Sequence, residues 1–217
     1  MPTVEQITAL AAAVMPRYRA LVVLLAGSGL RIGEALGLNV SDVDFLRRTV
    51  KVERQRLQSG RIGPPKTPKS ARTVPLGQVV IDELAAHLAA YPSDGPLFTI
   101  TTGEPLGYPT WLSTWERAGK VVAKACEDAA DKVRPHVDTV PLDVDTHSLR
   151  HFYASALIAG GASVKVAQTR LGHGSAVVTL NTYGHLWPGD DDLTRTVMDS
   201  AFAILADSLR TSAAAEG

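Results

Sequence analysis

Between residues 147 and 185 the chain carries four histidines, His147, His151, His173 and His185, with Arg150 one helical turn after the first and Tyr183 near the end. On a helix, His147 and Arg150 at i and i+3 share a face, so an imidazole and a guanidinium can reach one small anion together. His173 and Tyr183 follow across a turn or two of helix, and Asn181, Thr182, Tyr183 and Gly184 read as a flexible segment rather than a packed one. A phenol beside cationic and hydrogen-bonding groups is chemistry for attack on phosphate. The histidines leave a second chemistry open: His147 and His151 at i and i+4, with His173 or His185, could form the metal site of a hydrolase. Against it, Ser148 follows His147 where a zinc-protease helix carries glutamate, and two arginines would repel a metal ion.

The charge distribution points to a polyanionic partner although the net charge over 217 residues is zero. Residues 1–75 hold 12 Lys and Arg against 5 Asp and Glu, and the acidic excess lies in the remainder. Within residues 47–72 stand nine basic residues (Arg47, Arg48, Lys51, Arg54, Arg56, Arg61, Lys66, Lys69 and Arg72) and one acid, Glu53. Such a face binds a polyanion, or is simply a solvated hairpin. The longest apolar run, Ala20–Ala26, is far short of the roughly 20 residues that a bilayer requires, and no leader-like segment opens the chain; both place the protein in the cytoplasm. The single cysteine, Cys126, excludes an internal disulfide and argues against a cysteine-based zinc site.

Several elements must position these side chains. Thr3 and Gln6 form a capping box that starts a helix running to about Val14. A nearly all-apolar helix from about Arg17 ends at Gly27, Ser28 and Gly29 and belongs in the core. Leu30–Leu38 restarts as a short helix with Arg31 in its first turn and Glu34 at i+3. A cation there opposes the helix dipole, a local conflict that usually has a functional reason. Residues 43–76 read as strands, with a β-prone run at Thr49, Val50 and Val52, a turn at Ser59-Gly60 and a return strand at Arg72, Thr73 and Val74. Helices follow at about 77–90 and 109–130, the latter with Trp111 and Trp115 as core anchors. Residues 131–146 read as a surface loop. After an interruption at Trp187-Pro188-Gly189, a last helix covers about 192–210, and the tail after Thr211 reads as disordered. No repeat or linker divides the chain, so residues 1–217 read as one domain.

Three boxes in this order resemble the catalytic domain of the tyrosine recombinases, the phage integrase family, over about residues 4–190. Ser28-Gly29-Leu30-Arg31-Ile32-Gly33-Glu34-Ala35-Leu36 resembles the first arginine box. Lys66-Thr67-Pro68-Lys69-Ser70-Ala71-Arg72-Thr73-Val74-Pro75-Leu76 resembles the β-hairpin lysine segment. His147, Arg150, Leu171-Gly172-His173 and Tyr183 resemble the second box at family-like spacing. The resemblance implies the α+β, mainly helical DNA breaking-rejoining fold with a small antiparallel sheet near residues 43–76. The helical core-binding and arm-binding domains that precede it in family members are absent from this chain, which suggests a piece of a longer integrase.

By the same resemblance, Tyr183 is the nucleophile that forms a 3′-phosphotyrosyl intermediate, Arg31 and Arg150 clamp the phosphate oxygens, and Lys66 protonates the leaving 5′-oxygen, with Lys69 the weaker candidate. His147 and His173 hydrogen-bond the phosphate and assist proton transfer, His147 being the better choice of base. Glu34 buttresses an arginine, His151 either lines the site or packs beneath it, and His185 reads as structural or phosphate-adjacent. Arg54, Arg56, Arg61, Lys69 and Arg72 are the further candidates for DNA contact. The implied activity is site-specific recombination of double-stranded DNA, of phage integration and excision type in a bacterial cell, without ATP, metal or cofactor. The implied assembly is a homotetramer on DNA and a monomer when isolated, with a directionality factor and a host bending protein as possible partners and the last helix docked in cis or in trans. A non-catalytic DNA-binding regulator of the same fold is the remaining alternative.

Overall fold

Thr3 opens the first helix as the sequence predicts. Its hydroxyl accepts the Gln6 backbone N–H at 3.2 Å and the Gln6 side-chain oxygen accepts the Thr3 N–H at 2.9 Å, so two otherwise orphaned donors are satisfied. The computed structural model describes residues 1–67, 70–130, 144–187 and 191–203. Two compact units result, Met1–Gly184 and His185–Gly217.

In the first unit the helices are α1 (Val4–Ala13), α2 (Pro16–Ser28), α3 (Ile32–Leu36), α4 (Gln78–Ala90), α5 (Tyr108–Ala130), α6 (Thr146–Ala159), α7 (Val164–Leu171) and α8 (Ala176–Tyr183). α2 is apolar on every side because it is central: it packs against α1, α4 and α6. Its Leu21, Val22, Leu24 and Leu25 are buried, each worth about 1.5–3 kcal/mol. Gly29 ends α2 in the left-handed conformation, φ +62°; a Cβ there would stand 2.3 Å from the Tyr153 ring. α5 is tied to the start of α6 by its two tryptophans. Trp111 donates from Nε1 to Thr146 Oγ1 at 3.2 Å and Trp115 to the Val144 carbonyl at 2.8 Å. Both are the core anchors that the sequence suggests.

The strand region is two pieces rather than one sheet. β1 (Val43–Asp44), β2 (Thr49–Val52) and β5 (Arg72–Pro75) form an antiparallel sheet in the order β1-β2-β5, with Val50 opposite Val74 and Val52 opposite Arg72. Val50, Val52 and Val74 are buried, so one face closes the core. β3 (Gln55–Arg56) and β4 (Ile62–Gly63) form a separate two-stranded ribbon, whose turn needs Gly60 at φ +82°. The ribbon lies on α3, where Gly33 and Gly37 let the Arg56 backbone approach: a Cβ at either would meet it at 2.9 or 3.0 Å.

The second unit contains α9 (Asp191–Ala201). The expected continuation of this helix to 210, the expected tail after 211, most of the expected loop at 131–146, and Lys69 lie outside the described residues. Thr146 belongs to α6 rather than to a loop. No helix among the described residues is long and apolar enough to cross a membrane.

Candidate active site

Arg31 stands at the N-cap of α3 rather than in its first turn, with extended backbone (φ −70°, ψ 148°). Its own partner removes the conflict with the helix dipole. The Glu34 carboxylate accepts the Arg31 backbone N–H at 2.9 Å and its Nη1 at 3.0 Å, which places an acid in the first turn where the dipole favours one. The same carboxylate accepts Arg72 Nη2 at 2.9 Å and Nη1 at 3.2 Å. Burial alone would raise the pKa of Glu34, which is 1% exposed. Hydrogen bonds and charge from Arg72, then the Arg31 backbone bond and charge, reverse that and hold it below the ordinary carboxylate value.

Arg150 is 2% exposed, and two helix ends solvate its charge. Its Nη1 donates to the carbonyl of Gly29, the C-cap of α2, at 2.5 Å, and its Nη2 to that of Leu171, the last residue of α7, at 2.6 Å. Burial and the charges of Arg31 and Arg72 push its pKa down to about 9, against the pull of Glu34, so it remains a cation at neutral pH.

Tyr183 is helical and packed, against the flexible segment expected. It is the last residue of α8, is 4% exposed, and the backbone continues helically through Gly184. Its hydroxyl shares a 2.8 Å hydrogen bond with Nδ1 of His151. The His173 ring stacks on it at 6.5 Å between centroids and 10° between planes. Burial raises the phenol above its usual pKa, with the Arg150 charge opposing, so Tyr183 rests protonated. His173 follows the left-handed cap Gly172 (φ +64°) and its Nδ1 lies 2.8 Å from Thr179 Oγ1. Burial, then Arg150, Arg31 and Arg72, take its pKa to about 4, leaving it neutral. His147 is lowered by burial, then by His151 and Arg150; its ring meets His151 edge-on at 4.9 Å. The imidazole against the phenol is thus His151, which the sequence left undecided. Its signal was present: it stands at i+4 from His147, on the same helix face.

Arg31, Lys66 and His147 line one open cleft of about 1030 Å³, with Gln58 and with Leu112, Trp115, Glu116 and Lys120 of α5. Lys66 is exposed in the connection between β4 and β5. Arg61 is exposed as well. Of the arginines expected to face DNA, Arg72 is an internal brace, and Arg54, with its side chain 28% exposed, is tied to a buried carboxylate. Arg72 has a side chain 4% exposed and binds Glu34, the Ser70 carbonyl and the Arg170 carbonyl. Arg54 forks onto Asp42, whose side chain is 6% exposed. Arg56 is half-used in this way, its Nε on the Leu36 carbonyl and its Nη1 on that of Gly60. For Arg72 the physical reason is strand alternation: it shares a face of β5 with the buried Val74. Among the described residues no three His, Cys, Asp or Glu are grouped as a metal ion would require.

Residues 3–188 match the Phage integrase family. The chain belongs to that family. As a member of the phage integrase family it is 33% identical over 184 residues to the tyrosine recombinase XerD of Mycobacterium leprae, which covers 80% of this chain and 52% of that protein. It is 34% identical over 170 residues to XerC of Mycobacterium tuberculosis, covering 78% and 50%. The chain therefore spans about half the length of these curated relatives. Among solved structures, the Tn1549 transposon integrase in complex with circular intermediate DNA superposes with a TM-score of 0.69 at 23% identity, over 92% of this chain and 66% of that one. The catalytic domain of bacteriophage HP1 integrase superposes with 0.53 at 21%, over 88% and 89%. These likenesses establish the fold, the mainly helical tyrosine-recombinase catalytic fold with its small antiparallel sheet.

Proposed function

We propose that this chain is the catalytic domain of a site-specific recombinase that cuts and rejoins double-stranded DNA through a phosphotyrosine. The observation that carries the reading is the gathering of two imidazoles, His151 and His173, and the charge of the buried Arg150 around the buried phenol of Tyr183. Three more of the expected groups, Arg31, Lys66 and His147, line one cleft. Tyr183 attacks the scissile phosphorus and displaces the 5′-oxygen, which Lys66 protonates. Arg31 and Arg150 neutralise the non-bridging oxygens; a guanidinium has five N–H donors, so Arg150 can hold two carbonyls and still meet a phosphate. Losing either contact would cost about 3–4 kcal/mol in the transition state. In this reading the Thr179 hydroxyl donates to Nδ1, 2.8 Å away, which leaves the His173 proton on Nε2 for the phosphate, and His147 supplies a further hydrogen bond.

Exchange of a phosphodiester for a phosphotyrosine conserves the bond energy, so rejoining needs no ATP, and in this reading Arg31 and Arg150 supply the positive charge that a metal ion would otherwise bring. Arg61 and Arg56 extend the contact along the backbone, which makes binding steeply salt-dependent. The finer parts of the proposal are a phage-type element as the DNA exchanged in a bacterial cytoplasm, a tetramer in synapsis, and residues 1–217 acting as one catalytic domain with α9 as its last helix. DNA-bound integrase among the superposed structures supports the choice of partner.

The test uses a nicked suicide duplex whose site has been selected from random DNA by binding. Incubated in EDTA, the protein forms a covalent adduct visible on a denaturing gel, and Tyr183→Phe forms none. An adduct that persists in Tyr183→Phe, or none from protein that binds the duplex, refutes the assignment.

A further inference from the structure

We infer that His151 is the proton acceptor for Tyr183, taking the phenolic proton on Nδ1 as the tyrosine oxygen attacks and returning it when the phosphotyrosine is resolved. The inference rests on the recombinase reading above and names a residue that the motif positions do not. Geometry carries it. The hydroxyl and Nδ1 are 2.8 Å apart, within the reach that a general base needs. The two rings lie 5.5 Å apart, tilted at 60° to each other. At 4% exposure the phenol is shielded from water as a competing acceptor. The other imidazoles are turned to other work: His173 stacks parallel to the phenol with Nδ1 on Thr179, and His147 meets His151 itself.

The groups facing His151 keep it able to accept. Tyr183 faces it from α8; His147, Arg150 and the N-cap Asp145 belong to its own helix. Burial, then the Arg150 charge, disfavour the imidazolium, and Asp145 partly opposes them. The imidazole is therefore neutral at pH 7 with a lone pair for the proton. In the cleavage step the bond from the tyrosine oxygen to phosphorus forms while the bond from phosphorus to the 5′-oxygen breaks. The phenolic proton moves to Nδ1 and the leaving oxygen receives its proton from Lys66. Religation reverses both transfers.

Single-turnover adduct formation on the suicide duplex, with duplex binding measured beside it, tests the role. His151→Phe keeps a ring without a base, and His151→Asn keeps a hydrogen-bonding group that cannot take the proton. Both are expected to bind DNA and to form adduct about 100-fold or more slowly than wild type. A duplex with sulfur at the 5′-bridging position needs no acid for its leaving group, so it restores Lys66→Ala and leaves both His151 variants slow. The inference is overturned if His151→Asn cleaves at the wild-type rate, which reduces His151 to positioning. It is equally overturned if His151→Phe is faster than wild type, which makes the bond a latch, or if sulfur restores the His151 variants as fully as Lys66→Ala. Failure of the wild-type protein to form adduct on either duplex refutes the recombinase reading instead.

Discussion

Glu34→Ala tests how far the candidate site depends on one carboxylate. Four N–H donors converge on it, two from Arg31 and two from Arg72, at 2.9–3.2 Å. Truncation leaves the Arg72 guanidinium bonded to the carbonyls of Ser70 and Arg170 but with no counter-charge in a buried position. Removing one partner of a buried pair costs about 3–5 kcal/mol, a large share of the roughly 5–15 kcal/mol by which a domain is stable. At about 2–4 °C per kcal/mol for a chain of this size, Tm falls by about 6–20 °C. The stranded charge is the cause, so removing it as well should recover part of the loss. Glu34→Ala with Arg72→Met is expected to be less destabilised than the sum of the single variants by about 1–3 kcal/mol. Urea unfolding followed by circular dichroism gives each term as a shift in midpoint at constant slope. A loss below about 1 kcal/mol for Glu34→Ala, or strict additivity in the double variant, would refute the account of Glu34 as the joint between two arginines.

Other perturbations probe neighbouring parts. Gly172→Ala forces a left-handed residue (φ +64°) to carry a Cβ 2.9 Å from Arg72 Nη1; a loss of at least about 1–2 kcal/mol in thermal unfolding is expected, and a neutral result would contradict the packing. His173 has its folded pKa lowered to about 4 against an ordinary value near 6.5. The unfolded chain then binds more protons between those values, so stability is complete above about pH 6.5 and is lost as pH falls towards 4. The loss is on the order of 1–2 kcal/mol after solvent screening, and His173→Gln should flatten that part of the pH–stability curve; an unchanged slope counts against it. Arg61→Ala should weaken duplex binding for all sequences alike and reduce the salt slope by about one. Arg54→Ala should act instead on folding, by leaving the buried Asp42 carboxylate without its counter-charge, and melting curves beside binding isotherms separate the two.

The boxes around Arg31, Lys66 and Tyr183 were legible because each combines special residue types with short-range spacing. Helix α1 was equally legible, since its capping box is complete within four residues. What escaped depended on partners distant in sequence. Asn181-Thr182-Tyr183-Gly184 has the local composition of a loop. It is helical because Thr179 and Tyr183 share a buried face against His173 and His151, and tertiary packing outweighs propensity. Arg72 looked like one cation among nine in a solvated run. Only its phase with Val74 marks it as inward-facing, and only Glu34, 38 residues away, explains how the charge is tolerated. The separation of β3 and β4 from the main sheet follows from close backbone contact with Gly33 and Gly37, which periodicity does not encode.

The arrangement around Arg150 explains why a fold should bury a guanidinium at the centre of its site. Isolated there, the charge would be prohibitive. Placed between the carbonyl ends of α2 and α7, it meets two negative ends of helix dipoles, and the bonds to Gly29 and Leu171 fix it at the point where both helices stop. Gly29 and Gly172 are left-handed caps, so the sequence ends each helix where the arginine can use its last carbonyls. The positive field at Tyr183 is then built by the fold before any ligand arrives and requires no rearrangement when negative charge develops. A tyrosine in this field does not spontaneously ionise, because burial raises its pKa more than Arg150 lowers it. On the proposed role of Tyr183 as nucleophile, reactivity then comes from the loss of its proton at the moment of attack. In that proposal the contact between the phenol and His151, rather than the cationic pocket alone, is the element on which the chemistry turns.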